Sequence, residues 1–172
     1  VNLIILGDGY LKEELISLSR ALGVDHMIDF KGSVPYERVL DYMSESALLI
    51  LPSIREPLGN VIIEAATQKT ATVATNIDGI PEVIEHNRTG ILISPEIGVS
   101  NRNLPTYVIN PDDQTLVQPK SIDPRKLAKQ VKEIILDNRF EELGLRAFQE
   151  IPKRFSMSKY YFEICNYLNI KE

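Results

Sequence analysis

Residues 47–75 read ALLILPSIREPLGNVIIEAATQKTATVAT. Two short apolar runs, Ala47–Leu51 and Ala71–Thr75, bracket a helical stretch, Leu58–Gln68. Each run is apolar at successive positions, as in a strand covered on both faces. Pro52 closes the first run, because proline lacks the N–H that a continuing ladder needs. Strand, helix and strand in succession predict an α/β protein with a mainly parallel sheet.

The same rhythm extends outward. Toward the N-terminus, Val1–Leu6 predicts a strand, followed by Gly7-Asp8-Gly9 and a helix over about 11–22 in which Leu11, Leu15, Leu18 and Leu22 recur at helical spacing. Met27–Phe30 predicts a strand and Pro35–Ser44 a helix. Toward the C-terminus follow a short helix at Ile80–Glu85 and a strand at Thr89–Ile93. Three helices are then expected, over Pro124–Asp137, Phe140–Glu150 and Met157–Asn169, the first with Asp123 as its N-cap. The stretch 95–121 breaks the pattern. It is rich in Pro, Asn and Asp and predicts an inserted surface loop, with a hairpin through Thr106–Ile109 and Thr115–Val117.

Composition narrows the function. The chain has 172 residues, 44% of them hydrophobic and 25% charged, enough to bury a core. Its net charge is −5, and no basic stripe is present, so a nucleic-acid backbone is not an expected partner. One cysteine, Cys165, and two histidines, His26 and His86, give neither a disulfide nor a metal-ligand spacing. Cys165 and the aromatic set Phe155, Tyr160, Tyr161, Phe162 and Tyr167 are expected to pack a helix. A cytoplasmic location is expected from the lone cysteine. No apolar run reaches the roughly 18–20 residues of a membrane span. Val1 opens directly in an apolar run, from which we expect a piece of a longer protein.

Three loops carry residues suited to a ligand, and each follows a strand. Gly7-Asp8-Gly9 allows a close backbone approach, and Asp8 alternatively caps the next helix. Pro52–Glu64 places Glu56 at the carboxyl end of a strand, where open α/β sheets bind ligands. Gly59 and the amides around it suit a diphosphate. Glu64 follows two helical turns later beside Ile62, Ile63 and Ala65, where a carboxylate needs donors such as sugar hydroxyls. Glu56 as a helix cap, and Glu64 bonded to backbone or water, are the alternatives. Asn76–Glu82 brings Gly79 and Asp78 to the next strand end, with Asp78 read as the cap of the short helix.

Taken together these motifs resemble the C-terminal, donor-binding half of a GT-B retaining glycosyltransferase of the group-1 or family-4 class. The resemblance rests on Glu56-Pro-Leu-Gly-Asn-Val-Ile-Ile-Glu64, with Gly7-Asp8-Gly9, Phe30-Lys31-Gly32, Pro52-Ser53 and Gly79-Ile80-Pro81-Glu82 in the family's order. It implies a Rossmann-like, mainly parallel sheet with flanking helices over residues 1–172, lacking the domain's first strand and helix. It implies that Glu56 meets the donor-sugar hydroxyls and Glu64 the ribose. It further implies that Leu58, Gly59, Asn60 and Val61 cradle the diphosphate. Phe30, Lys31 and Gly32 would receive the base, while Gly7 and Gly9 line the cleft wall and Gly79 marks a nearby loop.

The implied donor is a UDP-, GDP- or ADP-sugar, with no metal and no separate cofactor. The implied acceptor is a saccharide or glycolipid, as in polysaccharide biosynthesis, reached through an N-terminal domain. A membrane-proximal full-length enzyme fits the class. The family's Arg and Lys diphosphate clamp matches no residue here, and the isolated chain is expected to be inactive. Lys69 replaces a usual Gly, Ala71 a Pro, Asp78 the first Gly of a pair, and Met157 a frequent Trp. A sugar-nucleotide epimerase of the same fold and a non-catalytic nucleotide-binding module are the competing readings.

Overall fold

The computed structural model describes residues 1–99, 106–156, 158–161 and 167. The chain divides into two compact units, Val1–Tyr42 and Met43–Glu172.

In the first unit, β1 (Leu3–Leu6) and β2 (Ile28–Gly32) form a parallel pair, with Leu3 opposite Ile28 and Leu6 opposite Gly32. Between them run α1 (Lys12–Ala21) and a single 3-10 turn at Asp25–Met27. β2 runs two residues beyond the strand expected at Met27–Phe30. It thereby brings Lys31 and Gly32 onto the strand, because Gly7 donates its amide to the Gly32 carbonyl at 2.8 Å and extends the pairing past Leu6. Helix α2 (Tyr36–Glu45) follows.

The second unit is built on β3 (Leu48–Leu51), β4 (Ala71–Thr75) and β5 (Ile91–Ile93), parallel and in that order. Leu48 faces Ala71 in register, and Val73 faces Ile91. β4 is buried at all five positions, as its two-sided apolar pattern predicts. Ala74 on one face joins a core with Ile62 and Ala66 of α3 (Asn60–Thr67), Ile80 and Val83 of α4 (Ile80–Val83), and Ala147 and Ile151 of α6 (Arg139–Arg154). Ala71 and Val73 on the other face join Ile91, Ile122, Leu143 and Ile134, the last from α5 (Pro124–Leu136). Helices thus cover both faces of the three-stranded sheet.

Helix α5 starts as expected: the Asp123 carboxylate accepts the Arg125 amide at 2.8 Å, and Pro124 fills the first turn. Helix α6 is longer than Phe140–Glu150. It continues through Pro152, which lies in its last turn and interrupts a single helical bond there. Phe155 packs against the core, but Tyr160, Tyr161 and Tyr167 are exposed, contrary to the packing role expected for them. Residues 158–161 and 167 are helical; Met157, Phe162, Cys165 and the remainder of the expected last helix lie outside the described residues.

The described parts of the expected loop, residues 95–99 and 106–121, carry paired strands. The expected hairpin forms as β7 (Val108–Ile109) against β8 (Leu116–Val117). It is nested inside a second antiparallel pair that the sequence reading did not contain, β6 (Ile97–Gly98) with β9 (Lys120–Ser121). Val108 anchors the hairpin by entering the core beside Ile77 and Ile80.

Candidate functional site

In the first unit two expected segments come together. Gly7-Asp8-Gly9 and Phe30-Lys31-Gly32, distant in sequence, meet at the carboxyl ends of β1 and β2 through the Gly7–Gly32 hydrogen bond. A Cβ on Gly32 would stand 3.2 Å from Asp8 Oδ2, so the two loops are in contact. Asp8 does not cap α1. Its carboxylate instead accepts from the Gly9 amide at 3.1 Å and pairs with Lys12 Nζ at 3.0 Å. The hydrogen bond from Lys12 holds the Asp8 carboxyl below its ordinary range. Lys31 is exposed and pairs with Asp29, whose carboxylate raises the Lys31 ammonium above the ordinary lysine range. Phe30 is half-buried.

In the second unit Glu56, Leu58, Gly59, Asn60, Val61, Glu64 and Gly79 are gathered around the start of α3. The helix begins at Asn60 rather than Leu58, because Gly59 takes the left-handed conformation, φ 85°, as its N-cap. Glu56 is half-buried, and its Oε1 accepts the Gly59 amide at 3.1 Å. One oxygen thus braces the helix entry, and the other accepts from no group among the described residues. The Gly59 amide is thus engaged, which removes it from the expected diphosphate cradle. The amides of Asn60 and Val61, at the unpaired start of the helix, have no acceptor among the described residues. Glu64 is half-buried one turn further on, and its carboxylate likewise has no partner among the described residues.

Gly79 is held against the Glu56 loop. Its amide donates to the Glu56 carbonyl at 3.3 Å, and a Cβ there would stand 1.9 Å from the Pro57 carbonyl oxygen. Asp78 does not cap α4, whose N-cap is Gly79. Its carboxylate accepts the Glu56 amide through Oδ2 at 2.9 Å and the Ile109 amide through Oδ1 at 2.6 Å. The sequence offered no signal for this link, since Ile109 lies in a segment without a recognisable motif.

A shallow pocket of about 270 Å³ lies between the Arg55–Pro57 loop, Asp78–Gly79 and the β7–β8 hairpin, with Tyr107 and Gln114 on its wall. It falls below the roughly 300–1,000 Å³ of pockets that enclose a whole small-molecule ligand. Glu56 and Glu64 do not line it. Arg55, Tyr107 and Gln114 are polar groups there with no signal in the sequence. His86 has a structural role: its Nδ1 accepts the Leu92 amide at 3.0 Å. Among the described residues no group of three or more His, Cys, Asp or Glu is placed to hold a metal ion, and no helix is long and apolar enough to cross a membrane.

These features define an α/β, Rossmann-like protein with carboxylates and free helix amides at the end of a parallel strand. Residues 1–99 match the family described as "Glycosyl transferases group 1", and the chain belongs to that family. It is 32% identical over 95 residues to an uncharacterised glycosyltransferase of Methanocaldococcus jannaschii, a match covering 55% of this chain and 24% of the relative. It is 34% identical over 92 residues to the alpha-D-kanosaminyltransferase of Streptomyces kanamyceticus, covering 54% and 24%. The matched region is about a quarter of the length of these relatives. Among solved structures, Anabaena HepE in complex with UDP and glucose superposes with a TM-score of 0.74 at 22% identity, over 98% of this chain and 40% of that one. The C-terminal domain of the group 1 protein LpcC from Francisella tularensis gives 0.63 at 19% identity, over 86% and 63%. At these identities the superpositions establish the fold alone, a Rossmann-like domain of the GT-B type.

Proposed function

We propose that this chain belongs to the donor-binding half of a retaining glycosyltransferase. It would hold a nucleoside diphosphate sugar and act together with an N-terminal acceptor domain. The supporting observation is the pair Glu56 and Glu64. Both are half-buried, both are gathered at the start of α3, and both keep carboxylate oxygens without a protein donor among the described residues. Polyhydroxylated ligands supply such donors.

In this reading Glu64 accepts from the ribose hydroxyls and Glu56 from the donor sugar. The Asn60 and Val61 amides, at the positive end of α3, face the diphosphate, with Leu58 and Gly59 forming the turn beside it. Gly79 supports the sugar loop, its amide held by the Glu56 carbonyl. The glycosidic C–O bond to the diphosphate breaks, and a new C–O bond to an acceptor hydroxyl forms on the same face. The acceptor proton passes to an oxygen of the departing diphosphate. Glu56 then orients the sugar and is not itself a nucleophile, so the protein acts by positioning and charge stabilisation. The HepE complex with UDP and glucose makes uridine the first base to test. The acceptor would be a saccharide or glycolipid, and the site of action the cytoplasm, at the membrane face for a lipid acceptor.

Calorimetric titration with UDP, GDP and ADP tests the reading. One nucleotide should saturate, and Glu64→Ala should weaken it by about 10- to 100-fold, the scale of a lost charge-assisted hydrogen-bond pair. Equal affinity in the wild type and Glu64→Ala would remove Glu64 from the site. Absence of binding by the complete gene product would defeat the proposal.

A further inference from the structure

We infer that Asp78 is a positioning residue that ties the β7–β8 hairpin to Glu56, so that a segment without a family motif sets the geometry of the sugar-binding loop. The inference rests on the donor-binding role proposed above for Glu56.

Asp78 bonds to both the Glu56 loop and the β7–β8 hairpin. Through Oδ2 it accepts the Glu56 amide at 2.9 Å, and through Oδ1 the Ile109 amide at 2.6 Å. Its own amide donates to the Ile109 carbonyl at 3.1 Å. One aspartate therefore exchanges two hydrogen bonds with the hairpin strand, as a paired strand residue does, and spans onward to the backbone of Glu56. An ionised carboxylate can accept at both oxygens at once, and such bonds are stronger than those between neutral groups.

The backbone supports this role. Asp78 has φ 45°, a conformation that costs most side chains energy and that aspartate and asparagine tolerate best. Glycine would adopt it more easily, so the carboxylate is what the position gains over glycine. Val108, buried beside Ile77 and Ile80, fixes the hairpin end of the link. At the other end the Glu56 loop is clamped from both sides: Asp78 holds its amide, Gly79 holds its carbonyl, and the Glu56 side chain closes onto Gly59. Moving the hairpin therefore moves the segment that carries the Glu56 carboxylate.

Two variants separate the link from general destabilisation. Asp78→Gly permits the same φ and removes both acceptors. Asp78→Asn retains the conformation and one acceptor oxygen. Amide hydrogen exchange, followed by NMR, reads the link without any ligand. In Asp78→Gly the amides of Glu56 and Ile109 should both lose protection by about tenfold or more, while Val73 and Ala74 in the central strand keep theirs. Asp78→Asn should retain protection at one of the two. Unchanged protection at Glu56 in Asp78→Gly overturns the inference.

Titration with UDP and with UDP-glucose then reads the consequence for the site. Asp78→Gly should bind UDP-glucose about tenfold more weakly while binding UDP as the wild type does, with Asp78→Asn between them. Equal weakening of both ligands, or of neither, overturns the positioning of Glu56. A wild-type protein that binds neither compound, nor any other nucleoside diphosphate, refutes the donor-site reading, and with it the positioning role, even where the exchange result still shows the hairpin coupled to the loop.

Discussion

A Cβ on Gly79 would stand 1.9 Å from the carbonyl oxygen of Pro57. The two loops that carry the candidate sugar site therefore meet backbone to backbone. Gly79 has φ −85°, which any residue adopts, so steric room is the whole requirement. Gly79→Ala must push the Pro57–Leu58 backbone away, with an expected loss of about 1–3 kcal/mol of stability in urea unfolding, the scale of overpacking a fitted interior. Stability equal to wild type would show that the loops separate without cost.

Glu56→Gln preserves an oxygen to accept the Gly59 amide and removes the charge. UDP-glucose should then bind about tenfold more weakly, because a charged acceptor for sugar hydroxyls becomes a neutral one, while UDP affinity stays within about twofold. Calorimetry with the two ligands separates these outcomes. Parallel losses for both would locate Glu56 at the nucleotide and not at the sugar.

Gly144 tests packing against propensity. It lies within α6, where glycine normally costs about 1 kcal/mol relative to alanine. A Cβ there, however, would stand 2.0 Å from the Lys69 carbonyl oxygen in the turn between α3 and β4. The clash should win, since the oxygen belongs to the backbone and cannot rotate aside. Gly144→Ala is therefore expected to lower the urea midpoint, against the rise that helix propensity alone predicts.

The Asp8–Lys12 pair gives a pH signature. The hydrogen bond from Lys12 depresses the Asp8 carboxyl, so the contact is fully present above the ordinary aspartate range and is lost as pH falls through the lowered value. Asp8 is exposed, so the readout is local. Its carboxyl resonance should titrate below that of an unpaired aspartate, and Lys12→Met should raise the midpoint toward the ordinary value, the Gly9 amide bond holding it somewhat below. Added salt should do so in part, since an exposed pair is screened.

The strand ends of the second unit were legible because they depend on short-range patterns. Leu48–Leu51, one residue shorter than the expected Ala47–Leu51, and Ala71–Thr75 are strands in the structure because both their faces meet helices, and their largely apolar runs record this directly. Glu56 and Glu64 were identifiable by their place after a strand and along a helix. The helix start was misread by two residues, since nothing local distinguishes a Gly59 at φ 85° from one inside the helix. Lys69 takes φ 62°, which explains structurally why a glycine is usual there.

The sequence by itself determined the α/β order, the parallel sheet and the two carboxylates at the helix entry, because alternation, breakers and helical spacing are properties of neighbouring residues. Only the tertiary structure decided what those groups do to one another. Asp78 turns away from α4 to hold Glu56 and Ile109, and the Gly59 amide is taken by Glu56. Ile97–Gly98 pairs with Lys120–Ser121, and Val108–Ile109 with Leu116–Val117, in two antiparallel pairs. A carboxylate binds whichever donors the folded chain brings within about 3 Å. Those donors lie 3, 22 and 31 positions away along the chain, and the two distant ones lie beyond the reach of any local pattern.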